Sequence, residues 1–112
     1  MAAPEQHLRA YDLLVAGETL TITIRKEFDF GSLHQDWAHH ILRQHPGPFT
    51  AVEVDMSHVG LVSSTFFAGL MQLHFSYSID GSQPVRLVKP DVRVVRNLKI
   101  MRMDTLVAID PR

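Results

Sequence analysis

The chain has 112 residues, of which 46% are apolar and 21% charged, and a formal net charge of −1. That length fits one domain rather than two and can bury roughly two-thirds of the surface exposed by the unfolded chain. The absence of cysteine excludes disulfides, thiolate chemistry and sulfur-ligated zinc, and the near-zero charge removes the electrostatic case for nucleic acid.

Residues 1–10 are polar and read as a flexible N-terminus ahead of a single domain over 11–112. Met1-Ala2-Ala3-Pro4-Glu5 lacks the basic and apolar segments of a signal peptide. No apolar run approaches the roughly 20 residues of a membrane helix. A cytoplasmic location without membrane insertion is therefore expected, and the lack of cysteine agrees with a reducing compartment.

Tyr11 to Ile24 reads as two strands, 12–16 and 19–24, joined by a turn at Gly17-Glu18. The second alternates strictly between threonine and an aliphatic residue, so one face is buried and the other wet. Residues 32–44 read as a helix. Ser32 stands as N-cap, Gln35 completes a weak capping box, and Leu33, Trp37 and Ile41 form an inward stripe. His45-Pro46-Gly47-Pro48 ends it. Residues 49–56 make the best candidate for a central strand, followed by a loop at 57–60.

Ser63-Ser64-Thr65 stands where the next helix should begin, and serine and threonine suit that place because their oxygens can accept the free amides of the first turn. That helix runs from about residue 65 to 78. Phe66, Phe67, Leu70, Met71, Leu73 and Phe75 make it apolar around most of its circumference, which implies burial on more than one side. Asp80-Gly81-Ser82 is a turn and residues 84–88 a strand. Pro90-Asp91 opens a further helix to about residue 101, with Val92, Val95 and Leu98 inward, and residues 105–109 close the chain as a last strand. The order β-β-α-β-α-β-α-β predicts an α/β fold: a mixed, mostly parallel sheet with an antiparallel hairpin in front and helices packed on it.

Val54-Asp55-Met56-Ser57, Val59, Leu61-Val62-Ser63-Ser64-Thr65 and Leu70 together resemble the hallmark segment of STAS domains. There, an Asp-Leu-Ser-like strand end leads through a short loop to Asp-Ser-Ser/Thr-Gly at a helix start. Leu87-Val88-Lys89-Pro90, then 92–98 and Met103-Asp104-Thr105-Leu106, are similar to the family's second recognisable block. The resemblance spans roughly residues 10–110 and points to the anti-sigma-factor antagonist members. It implies a STAS-like fold, a role in signal transduction and transcription regulation, and reversible binding to an anti-sigma factor that is also a serine kinase. Other STAS proteins are further partners it would allow. The resemblance places the phosphoacceptor on Ser64 and the following hydroxyl on Thr65, with Ser63 and Asp55 helping to shape the partner surface. Two residues depart from the pattern. Ser63 stands where the family has an acidic residue, and Phe66, where the family has glycine, is expected to crowd the surface a kinase approaches. A STAS scaffold that is never phosphorylated, or a transporter-associated subunit, is the alternative, and a small-ligand module a third class.

No other pattern competes. Of seven histidines, His34, His39, His40 and His45 lie on or near one helix, but no pair has the four-residue spacing of helical metal ligands. His74 reads as a hydrogen-bonded core residue. Ser64 lacks the Gly-x-Ser-x-Gly elbow of hydrolases, and the scattered glycines form no phosphate loop, so neither enzymatic activity nor a cofactor or metal is expected. Lys89, Arg93 and Arg96, with Arg86, Lys99 and Arg102, read as a solvated helix face. They lack the interleaved aromatics of a nucleic-acid site.

Overall fold

A computed structural model describes residues 9–79 and 81–111. Most of the flexible N-terminus expected over 1–10, and Asp80 of the expected turn, lie outside the described residues. Residues 9 and 10 are not loose. Ala10 is buried and its carbonyl accepts the Arg25 amide at 2.9 Å, while Arg9 pairs with Asp12 at 3.5 Å.

The elements follow the order read from the sequence: β1 (Tyr11–Ala16), β2 (Thr19–Ile24), α1 (Trp37–Gln44), β3 (Ala51–Asp55), α2 (Ser64–Tyr77), β4 (Val85–Val88), α3 (Val92–Ile100), a 3-10 turn (Met103–Thr105) and β5 (Ala108–Asp110). The sheet order is β1-β2-β3-β4-β5, with β1 antiparallel to β2 and every other pair parallel. Gly17, at φ +61°, supplies the left-handed turn residue of the hairpin.

Each crossover from β2 onward steps the same way across the sheet. Right-handed connections then place α1, α2 and α3 on one face. The register agrees. Leu20, Val52 and Val85 align across three strands, as do Ile22, Val54 and Leu87, and all six are fully buried beneath the helices. The alternate row Thr21–Glu53–Arg86–Ala108 lies on the other face, with Glu53 beside Arg86.

Two boundaries and two side-chain directions differ notably from the sequence reading. The helix expected at 32 begins at Trp37, so Ser32 is no N-cap. Residues 25–37 instead form successive tight turns (Phe28 to Arg25, Phe30 to Glu27, Leu33 to Phe30, Gln35 to Ser32, Trp37 to His34), and Gly31 and Asp36 are left-handed. Burying Phe28 edge-on against Trp37 and Phe66 draws this segment inward in a way a regular helix could not. In α3 the inward pair is Val94 and Leu98, one helical turn apart, while Val92 at the first position is 68% exposed. The last strand starts at Ala108 rather than 105. The amides of Leu106 and Val107 both bond the Met103 carbonyl, and Arg102 is left-handed, which delays pairing. Phe75 on α2 points outward at 69% exposure.

Candidate functional site

β3 ends at Asp55, and the chain crosses to α2 over residues 56–63 at the carboxyl edge of the sheet. Asp55 Oδ1 accepts the Ser57 amide at 2.9 Å, so this half-buried carboxylate turns the loop as it leaves the strand.

Ser63 occupies the N-cap of α2 with extended backbone, but its side chain makes no cap bond. The capping role expected of it is overturned by a more distant partner. Its hydroxyl donates to Asp29 Oδ1 at 2.6 Å and its amide donates to Asp29 Oδ2 at 3.1 Å. The negative charge that sequence reading found missing before Ser64 is supplied from the β2–α1 connection, 34 positions away. A carboxylate here also faces the positive end of the helix. No local pattern marks Asp29. The only hint is its place between Phe28, which is buried, and Phe30, which is 58% exposed.

Ser64 is the first residue of α2, exposed, and its hydroxyl has no partner among the described residues. Thr65 is half-buried, and its carbonyl accepts Trp37 Nε1 at 3.3 Å. Phe66 does not crowd the surface. It is fully buried and stacks on Trp37, with centroids 5.4 Å apart and planes 7° from parallel. The outward apolar groups near Ser64 are instead Phe30, next to Asp29, and Leu61, which is 53% exposed. Phe30 carries no sequence signal, since isolated exposed apolar residues have none of their own, and Leu61 is marked in the sequence only as part of the hallmark-like segment.

Other polar groups border this end. His34 Nε2 lies 3.9 Å from Asp29 Oδ1, and the buried His34 Nδ1 has no hydrogen-bond partner among the described residues. The carboxylate therefore sits between serine and histidine. This is not the contact order of a nucleophilic triad, in which imidazole separates the two. Arg93 grips Asp91 through Nε at 3.0 Å and Nη2 at 3.2 Å, and these bonds raise its pKa above the ordinary value. The pair lies against the loop. A side chain at Gly60 would meet Arg93 Nη2 at 3.1 Å.

Further along the same edge, Asp12, Thr23, Arg25, Lys26, Glu27 and His58 line an open cavity of about 360 Å³. Arg25 is committed there to Asp12 at 2.9 Å and Glu27 at 3.3 Å. His74 is buried on α2 within 3.3 Å of the Ser78 hydroxyl. Among the described residues, no group of three or more His, Cys, Asp or Glu could hold a metal. No helix among them is long and apolar enough to cross a membrane. No protein-family pattern matches the chain, and no curated protein matches it.

Proposed function

We propose that the exposed start of α2 is the docking surface for a regulatory protein and that the domain acts as an anti-sigma-factor antagonist. Its partner is an anti-sigma factor with serine-kinase activity, and Ser64 is the residue that partner modifies. One observation carries this reading. Of the three hydroxyls at the helix start, Ser63 is bonded to Asp29 and Thr65 is half-buried, while Ser64 stands exposed and unbonded near Phe30 and Leu61.

In the modification, the Ser64 oxygen bonds the terminal phosphorus of ATP, ADP leaves, and the hydroxyl proton passes to the kinase's base. The phosphate adds about −1.5 to −2 charges. At the start of a helix it is tolerated, gaining on the order of 0.3–1 kcal/mol from the dipole, so the fold stands. A partner that covers Phe30 and Leu61 must then desolvate that charge, and it lets go.

The test is to incubate the chain with candidate anti-sigma-factor kinases and ATP, then measure intact mass and binding. One added phosphate is expected, absent in Ser64→Ala, with binding weakened by Ser64→Asp and by Phe30→Ala with Leu61→Ala. An unmodified chain whose binding ignores all these changes would overturn the proposal. Binding lost with the apolar pair but indifferent to charge at 64 would point to an unphosphorylated scaffold.

A further inference from the structure

We propose that Asp29 is a positioning residue of this surface: it latches the segment bearing Phe30 to the start of α2, and negative charge at Ser64 opens the latch. The inference rests on Ser64 being the modified position.

The latch is built from two bonds to one residue. Both carboxylate oxygens of Asp29 are engaged by Ser63, through its hydroxyl at 2.6 Å and its amide at 3.1 Å. Around Asp29 the chain from 25 to 37 is otherwise a run of local turns, anchored inward by Phe28. Phe28 fixes where the segment enters the core. Asp29 fixes how the next residue, Phe30, is presented outside it. Leu61 lies two residues before Ser63 on the other side of the bond. The Asp29–Ser63 contact thus joins the two segments that carry the exposed apolar groups.

Ser64 is the adjacent residue, and consecutive Cα atoms are about 3.8 Å apart. A charge on its side chain therefore falls well inside the screening length of about 8 Å. A helix start offers a limited positive potential and a few free amides. Asp29 draws on it now. A phosphate at 64 would draw on it more strongly and repel the carboxylate as well. His34, 3.9 Å behind Oδ1, is the neighbouring group toward which the carboxylate would turn. Once Asp29 leaves, the segment carrying Phe30 is no longer tied to the one carrying Leu61, and a partner that needs both loses its grip while the core stays intact. Modification then acts twice, by adding charge to the surface and by dispersing its apolar part.

The experiment uses the isolated chain and requires no partner. Hydrogen exchange of the Ser63 amide is measured in the parent, in Ser64→Asp, in Asp29→Asn and in the double variant, alongside global stability. Ser64→Asp is expected to speed exchange at Ser63 roughly three- to tenfold, the range for unit charges a few ångströms apart near a surface. Global stability is unchanged or slightly raised, because an acid at the first helical position suits the dipole. In the Asp29→Asn background the same change should alter exchange less than twofold. A merely structural Asp29 would give equal effects in both backgrounds, and that result, or no acceleration by Ser64→Asp, overturns the latch. Neither result touches whether a kinase modifies Ser64, which the mass measurement decides separately.

Discussion

α2 and α3 hold equivalent places, each carrying the chain from one parallel strand to the next, yet they are secured in opposite ways. α3 is secured from within. Asp91 Oδ1 accepts the Arg93 amide at 2.8 Å, whereas at the far end both helices close alike, Met101 onto the Asn97 carbonyl and Ser78 onto the His74 carbonyl, each at 3.0 Å. α2 is secured from outside. Its cap residue is bonded to Asp29, the Thr65 carbonyl accepts the Trp37 indole, the Gly69 position lies directly beneath that indole, and Tyr77 donates to the His45 carbonyl at 2.6 Å. Every one of those partners comes from residues 29–45. A helix capped by its own side chain uses that oxygen for folding. α2, held sideways, leaves the next hydroxyl, Ser64, exposed and unbonded among the described residues.

The contrast would break hardest at Trp37. The indole is 1% exposed and packs against Phe28 and Phe66. Trp37→Ala should cost about 3–5 kcal/mol in denaturant unfolding, since it leaves a large cavity above Gly69. A loss under about 1 kcal/mol would mean that α2 does not depend on this distant support. Tyr77→Phe probes the other end. Leaving the His45 carbonyl unpaired should cost about 1–3 kcal/mol at neutral pH. Burial also pushes the Tyr77 phenol from 10.0 up to about 12. Between those values the folded chain keeps a proton that the unfolded chain has released. The phenol's contribution is therefore complete below about pH 10 and is lost as pH rises toward 12. Unfolding curves over that window should show an alkaline decline in the parent that is reduced in Tyr77→Phe.

How much of this was legible in the sequence follows the same division. Thr19–Ile24 was readable because a strand's period of two is a local property. The order of elements was readable because each helix carries its own apolar stripe, and α2's all-round apolarity already implied burial on several sides. The cap at Asp91 follows from residues within two positions of one another. Asp29 was not legible, since its partner is 34 positions away and the bond exists only after the sheet and α1 have brought the two segments together. Ser32 misled for the converse reason. Its local capping pattern is sound, but burying Phe28 outweighs it. Phe66 could not be placed from type alone, because a helix start has both an inward and an outward side, and only the position of Trp37 decides between them.

The smallest expected effect tests whether the two helix starts are independent. Asp91→Ala removes a true N-cap, which is worth about 1 kcal/mol. It should be seen as faster hydrogen exchange at the Arg93 amide and a small drop in unfolding midpoint. The backbone bonds from the Asp91 carbonyl to the amides of Val94 and Val95, at 2.9 and 3.2 Å, need no side chain, so α3 should fray at its first turn and go no further. A route to α2 runs through Arg93, whose guanidinium packs over Gly60 in the loop leading to Ser63. If that contact only fills space, exchange at Ser63 stays as in the parent. If Ser63 accelerates with Arg93, the loop transmits the loss, and α2's start is then supported from two distant places rather than one.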